Sequence, residues 1–516
     1  MKSMVQAVKI SASMPSLSDN TADLDRLKRS VRQATGQEYV TCPLPDVAGA
    51  SGSFRNAGFQ GAAVVRDTGN GMEIVSVFSR MPQKLPGMAL DLGTTHLEAC
   101  LVDLLSGQEM ARVSREHTQG QFGADILTRI HYAERNAGLA QLQRATVSDI
   151  NAMAADLAGR TGMVPGDIMA LGIAGNTAMT HFLLGLSPYH MCREPYIPVA
   201  NTVDIFRARD LGLEICPACP VWVAPSAGSY FGGDLLAGIV ACDLDLEDQP
   251  CMLVDVGTNA EVVLGGRDWL LACAGAAGPA LEGGVASMGM RAGPGAIDKV
   301  SIDPDSKSLE YSTIGGEPAL GICGSGLIDL AAQMYLAGMM DTRGRFRPES
   351  MKERFVEDEH NPCFIVVQGE QSDHRQPVTV RQSDINALIR SKAAMYAVLS
   401  TLLQQVGLSF ADLGRINVAG AFGRHIDPEK AVVLGMLPDL PLEVYQPVGN
   451  TSLKGAVRAI TDYDFRQRIM DAARRVTYIE LNVNQEFMHR FSGARFIPHT
   501  DVSLFPSVPR PREVCK

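Results

Sequence analysis

Two short stretches carry residues that could handle a phosphate chain: Ala89-Leu-Asp-Leu-Gly-Thr-Thr95 and Leu253-Val-Asp-Val-Gly-Thr-Asn259. Each is an aliphatic run closing on Asp-x-Gly-Thr and one further hydrogen-bonding side chain. The glycines, Gly93 and Gly257, let backbone N–H groups come close to an anion. Thr94, Thr95, Thr258 and Asn259 add side-chain donors, while Asp91 and Asp255 can hold Mg2+ directly or through water. A single turn of this kind is more often an ordinary hairpin. Two copies, each opening a run of strands, point to one turn for each lobe of a nucleotide clamp.

Three Gly-rich stretches fit the same chemistry. AGAAGPALEGG (274–284) supplies Gly278, Glu282 and Gly283 just after the second set of strands. ICGSGLIDL (322–330) puts Gly324, Ser325 and Gly326 at a helix start, where free N–H groups and the dipole favour a phosphate or ribose. NVAGAFGRHI (417–426) is a strand entering a glycine turn, with Gly420 and Gly423 placed to let an adenine lie on backbone. Competing phosphate loops are absent. No Gly-Lys dipeptide exists for a GxxxxGK[ST] loop, Gly324-Ser-Gly326 lacks the third glycine of a dinucleotide fingerprint, and Ser325 is not in a GxSxG elbow. No two histidines have metal-hydrolase spacing, and lone histidines such as His96 and His181 read as structural.

The elements that must position these residues follow from periodicity. Residues 1–87 read as a small α/β module. VKIS is a strand, DLDRLKRSVRQATG is an amphipathic helix ending at Gly36, and GAAVVRD and EIVSVF form a hairpin across TGNGM. MPQKLPG (81–87) is the expected boundary. From Met88 the pattern is strand, turn, strand, turn, strand. Helices are expected at QFGADILTRIHYAERNAG, VSDINAMAADLAGRTG and NTAMTHFLLG, with a buried strand at IMALGIAG. After Pro250 the pattern restarts with three strands, then helices at GSGLIDLAAQMYLAG and SDINALIRSKAAMYAVLSTLLQQVG and a strand at RINVAG. This is a duplication of architecture, with a period far too long for a solenoid.

Bulk properties narrow the partners. A chain of 516 residues implies two or three domains or lobes, and a net charge of −11 without a basic block argues against nucleic acid. No apolar run is long enough for a membrane span, and the N-terminal stretch lacks a signal-peptide core, so the chain reads as cytoplasmic and membrane-free. Eleven cysteines are scattered. Only Cys216-Pro-Ala-Cys219 has ligand spacing; with no second CxxC it reads as two loop thiols, and no iron–sulfur cluster is expected.

The order of phosphate hairpin, helices, second hairpin and Gly-rich adenosine turn resembles the superfamily of acetate and sugar kinases, heat-shock chaperones and actin. Within it, ALDLGTT, QFGADILTRI, GIAGNTAMTHFLLGL, EPYIPV, VDVGTNAEVVLG, AAGPALEGG, GICGSGLIDL, VAGAFG and VGNTSLKGA resemble the ATP-dependent reductive activators of corrinoid proteins. PSLSDNTADLDRLKRSV resembles that family's linker and middle region. The resemblance implies an α/β fold: duplicated mixed-sheet lobes of the actin and sugar-kinase type, preceded by the small module. The module would be 1–87 and the ATPase domain 88–500. Lobe I would run about 88–250 plus 430–500, lobe II about 251–430, and a tail 501–516.

Further expectations follow from the resemblance. They are Mg2+–ATP as cofactor, with Asp91 and Asp255 as catalytic and metal-holding residues, and a corrinoid protein of a methyltransferase system as partner, reduced from Co(II) to Co(I). The iron–sulfur domain typical of members has no counterpart here, and Leu281 stands where an aromatic is usual. The electrons are therefore expected from a separate low-potential, ferredoxin-like donor, and a homodimer is a candidate assembly. Two alternatives stay open. One is a small-molecule kinase of the same fold, with Asp125 or Glu282 as base; the other is a non-enzymatic nucleotide-dependent binding module.

Overall fold

Each of the two Asp-x-Gly-Thr strands lies inside a six-stranded mixed sheet, and the register around the two aspartates is the same. The structure is a computed structural model and describes residues 2–257, 260–275, 286–356, 361–481 and 484–510. It divides into two compact units, 1–241 with 451–475, and 242–450 with 476–516. The segment returning to the first unit is thus Thr451–Arg475; residues 430–450 and 476–500, expected in lobe I, belong to the second unit.

The first unit begins with β1 (Gln6–Ser11), α1 (Asp23–Thr35), β2 (Val40–Thr41), α2 (Leu44–Asn56), β3 (Gln60–Asp67) and β4 (Met72–Phe78), a four-stranded sheet of order β1-β3-β4-β2. Its core gathers Leu27, Val31, Phe54, Phe59, Val65 and Ile74. Gly36 ends α1 in the left-handed region, φ 70°, as a helix-terminating glycine should. Charged contacts bind this module to the rest of the unit. Glu73 accepts from Arg207 at 2.6 Å, and Asp46 takes both arms of the Arg209 guanidinium at 2.5 and 2.8 Å.

The same unit continues with β5 (Pro86–Leu92), β6 (His96–Asp103), β7 (Glu109–Glu116), α3 (Ile126–Ala133), α4 (Gly138–Arg160), β8 (Ala170–Gly175), α5 (Thr177–Leu184), β9 (Phe206–Arg207), β10 (Pro220–Val223) and α6 (Gly233–Ala241). The sheet order is β7-β6-β5-β8-β10-β9. β5 is antiparallel to β6 and parallel to β8, so Asp91 faces Glu98 on one side and Ala174 on the other. The helix Thr451–Thr461 packs on α6 and on β5 and β8. Gly172 and Gly87 lie against Ile460, and Gly455 lies against Ala237. These small residues bring helix and sheet close together.

The second unit holds β11 (Cys251–Val256), β12 (Ala260–Gly265), β13 (Leu270–Gly275), β14 (Ala296–Ile302), β15 (Leu309–Thr313), β16 (Gly321–Ile322), α7 (Gly324–Leu336), β17 (Phe355–Val356), β18 (Cys363–Val367), β19 (Val378–Arg381), α8 (Gln382–Gln405), β20 (Arg415–Ala419), α9 (Gly420–His425), α10 (Pro428–Leu434), β21 (Tyr445–Gly449) and β22 (Val476–Tyr478). Its main sheet runs β21-β20-β11-β12-β13-β22, with two three-stranded sheets beside it. β11 is antiparallel to β12 and parallel to β20, so Asp255 faces Glu261 and Ala419. This repeats the surroundings of Asp91. Lys392, fully buried in α8, donates to the carbonyls of Phe496 and Pro498 and ties the C-terminal segment to the core.

Candidate functional site

In open α/β sheets, ligands gather beyond the carboxyl ends of the parallel strands, where connections diverge. In the first unit those ends carry Asp91 on β5 and Asn176 just after β8. Asp91 is the half-exposed residue in an otherwise buried strand, and its Oδ1 accepts from Ser452 Oγ at 2.7 Å. Gly93 is obligatory, because a Cβ there would overlap the His96 carbonyl oxygen. Thr94 and Thr95 are also half-exposed, so the turn is open to a ligand. Asn176 Nδ2 donates to Thr94 Oγ1 at 3.0 Å, while its Oδ1 accepts from Met179 N and caps α5. One amide thus sets both the hydroxyl of the turn and the start of a helix.

Asp234, in the first turn of α6, completes this group. A Cβ on Gly232 would come within 2.6 Å of Asp234 Oδ1 and 2.9 Å of the Gly175 carbonyl, and would overlap Asn176 Cα. The bend before α6 therefore lies directly on the end of β8. Asp234 Oδ1 accepts from Leu235 N at 2.9 Å. The residue keeps part of its surface exposed, yet desolvation pushes its carboxyl up to about 6. A carboxyl raised in this way, next to the bend that lies on the end of β8, can take a proton from water. Asp91 is a hard oxygen donor of the sort Mg2+ accepts.

In the second unit Asp255 is likewise the half-exposed residue of a buried strand. Gly420 has φ 76°, and a Cβ on it would lie 2.9 Å from both Asp255 Oδ1 and the Val256 carbonyl. The backbone after β20 thus passes directly over the aspartate. Gly423 packs on the Val418 carbonyl so closely that no side chain would fit. Gly324, Ser325 and Gly326 form the buried first turn of α7. Gly326 lies on the Ile297 carbonyl of β14, and Ser325 Oγ is 3.2 Å from Cys323 Sγ. Asp329, one turn on, is held up at about 6 by burial and accepts from Val300 N at 3.4 Å. Gly257 closes β11, whereas Thr258, Asn259, Gly278, Glu282 and Gly283 lie outside the described residues.

Other residues singled out by sequence have structural partners. Asp125 caps α3, accepting from Thr128 N and Thr128 Oγ1, both at 2.8 Å; these bonds lower its carboxyl and make it a poor base. His181 is buried, donates from Nδ1 to the Thr177 carbonyl at 2.7 Å and accepts from Ala200 N. Cys216 and Cys219 are buried and joined by a tight turn, with burial raising both thiols. Sequence reasoning missed Asp234, Asn176 and Ser452 as site residues. The signal for the last two was present, since GIAGNTAMTH and VGNTSLKGA were singled out as motifs without a role for either side chain.

Three family models match successive stretches of the chain: "RACo linker region" over 1–82, "RACo middle region" over 86–247 and "C-terminal domain of RACo the ASKHA domain" over 249–509. The corrinoid activation enzyme RamQ of Eubacterium limosum is 31% identical over 415 residues, covering 78% of this chain and 69% of that protein. A [Co(II) methylated amine-specific corrinoid protein] reductase of Methanosarcina barkeri is 26% identical over 302 residues, covering 54% of this chain and 52% of the relative. A solved structure described as a reductive activator for corrinoid,iron-sulfur protein matches 98% of this chain and 81% of its own, with TM-score 0.89 and 36% identity. The chain therefore has the ASKHA fold, the architecture of actin and the sugar kinases, in its C-terminal part. With linker, middle and C-terminal models matched in order along its length, it belongs to the RACo family.

Proposed function

We propose that this chain is an ATP-hydrolysing activator that returns the cobalt of a corrinoid protein from Co(II) to Co(I). The observation that carries this reading is the match of nearly the whole chain, 98% at TM-score 0.89, to a reductive activator for a corrinoid,iron-sulfur protein. The chemistry has two parts. One electron passes from a low-potential donor to Co(II), oxidising the donor and giving Co(I); ATP and water give ADP and phosphate. The donor is a separate, ferredoxin-like protein in this reading.

The residues divide the hydrolytic work. The Gly93–Thr95 turn holds phosphate oxygens through backbone N–H groups and the Thr94 hydroxyl, which Asn176 orients. In the first unit Asp91, steadied by Ser452, would hold the metal that accompanies the phosphates, and Asp255 stands in the equivalent strand position of the second unit. Mg2+ would supply charge neutralisation on the phosphate oxygens. Asp234, poised near neutrality, orients the attacking water and accepts its proton. Gly420, where β20 enters α9, would leave backbone open to the adenine, while Gly423 lets the helix pack on the Val418 carbonyl.

Steady-state ATP hydrolysis measured with and without a corrinoid protein in its Co(II) form tests the reading. We expect slow basal turnover that the Co(II) protein changes severalfold. Binding of ATP with no turnover under either condition would instead mark a nucleotide-dependent binding module. Phosphate transfer to a metabolite would mark a kinase.

A further inference from the structure

The Gly93–Thr95 turn is held from behind by two residues that face the backbone and not the ligand. Gly93 O accepts from His117 Nδ1 at 3.1 Å, Thr95 O accepts from His117 N at 2.9 Å, and Thr94 O accepts from Arg129 Nη1 at 2.6 Å. All three carbonyls of the turn are thus taken up on one side. In a trans peptide the C=O and the following N–H point in opposite directions. Fixing the carbonyls of Gly93 and Thr94 therefore turns the N–H groups of Thr94 and Thr95 the other way.

Both supporting side chains are unusual in their own surroundings. His117 is buried, and desolvation pushes its ring down to about 4, so it is neutral near pH 7. A carbonyl can only accept, so Nδ1 carries the hydrogen and Nε2 faces the Thr146 hydroxyl at 3.2 Å. Arg129 is 0% exposed. Its Nε donates to Gly123 O at 2.8 Å and its Nη1 also reaches Gln119 Oε1 at 3.3 Å, all neutral acceptors. Its Nη2 has no partner, and no carboxylate forms an ion pair with the guanidinium among the described residues. Asp125, exposed and without an ion pair to the guanidinium, attracts it only from a distance, so the buried cation is partly compensated and a bound anion would complete the balance.

We propose that Arg129, with His117, is the positioning residue of the phosphate turn: it pins Thr94 and sets a buried positive charge behind the N–H groups, which Asp125 offsets only in part and the bound triphosphate completes. This rests on the reading that the turn holds ATP phosphates. Arg129 acts through the turn, so what it contributes is the affinity for phosphate and not the chemistry of its transfer.

The test compares Arg129→Lys and Arg129→Met in the full chain, with ATP and adenosine binding measured by calorimetry. Lysine keeps the charge but cannot span Gly123 O and Thr94 O; methionine fills the space without charge. We expect Arg129→Met to weaken ATP by about tenfold or more, Arg129→Lys by roughly threefold, and adenosine to be unaffected in either. A purely structural residue would show lysine no better than methionine, and that result would overturn the proposal. Wild-type affinity for ATP in Arg129→Met would also overturn it, while leaving the ATPase reading intact. Failure of the wild type to bind ATP would remove the ATPase reading itself. If Arg129→Met does not fold, His117 decides. His117→Asn keeps a donor near the Nδ1 position and should hold ATP within about threefold, whereas His117→Ala should lose about tenfold. Equal losses in these two would overturn the proposal.

Discussion

Asp234 keeps a proton that an exposed aspartate would release, and this gives its substitution two opposite effects. Between the usual carboxyl value of 3.8 and about 6, the folded chain holds this proton while the unfolded chain lets it go. Stability therefore falls as pH rises through that window, and the cost is fully present above it. We expect Asp234→Asn to melt higher than wild type at pH 7 to 8, by about 1–2 kcal/mol after allowance for the residue's partial exposure. The gain should vanish below pH 4, as thermal denaturation across that range will show. The same variant should lose ATP hydrolysis about a hundredfold, and wild-type turnover should climb with pH through about 6. A variant both more stable and inactive is what a functional carboxyl produces and a packing residue does not. Asp91→Asn and Asp255→Asn should each cost about a hundredfold or more in turnover with the fold intact, as circular dichroism and phosphate release will register.

At the scale of elements, the duplicated strands were readable because alternation and glycine turns are local. β5–β7 and β11–β13 appear where the pattern placed them, and both aspartates are the next-to-last residues of their strands, beside a parallel neighbour running into glycine or asparagine. α2 was not readable: Gly49, Ser51 and Gly52 give Leu44–Asn56 the look of a loop, and only packing of Ala50 and Phe54 makes it a helix. The small sheets β14–β16 and β17–β19 also escaped, since strands of two to seven residues are set by tertiary pairing. In the site, the turns were legible and their support was not, because nothing local to Gly93 announces that Arg129 will reach Thr94. Two element-level outcomes are open to measurement. Gly326→Ala forces a Cβ onto the Ile297 carbonyl and should lower stability by about 1–3 kcal/mol in a denaturant titration. Cys216→Ser combined with Cys219→Ser should leave ATP turnover unchanged, since both thiols are buried in a tight turn. Loss of stoichiometric iron along with activity in that double variant would contradict the loop reading.

For the whole molecule the difficulty is energetic. Reducing Co(II) is uphill for ordinary donors, and each 59 mV of a one-electron gap is a factor of ten, about 1.4 kcal/mol. A protein can close such a gap only by binding the partner differently in its two oxidation states, because a ligand shifts an equilibrium by no more than its differential affinity. Only a state of the complex that favours the Co(I) over the Co(II) corrinoid protein raises the potential, so we expect nucleotide to shift the relative affinity toward the Co(I) form. The most direct measurement is anaerobic absorbance of a corrinoid protein mixed with this chain, a low-potential donor and Mg2+–ATP. We expect Co(I) to accumulate only when all components are present, and to fail when Asp91→Asn replaces the wild type. Co(I) appearing equally fast without this chain, or without ATP, would contradict the activator reading.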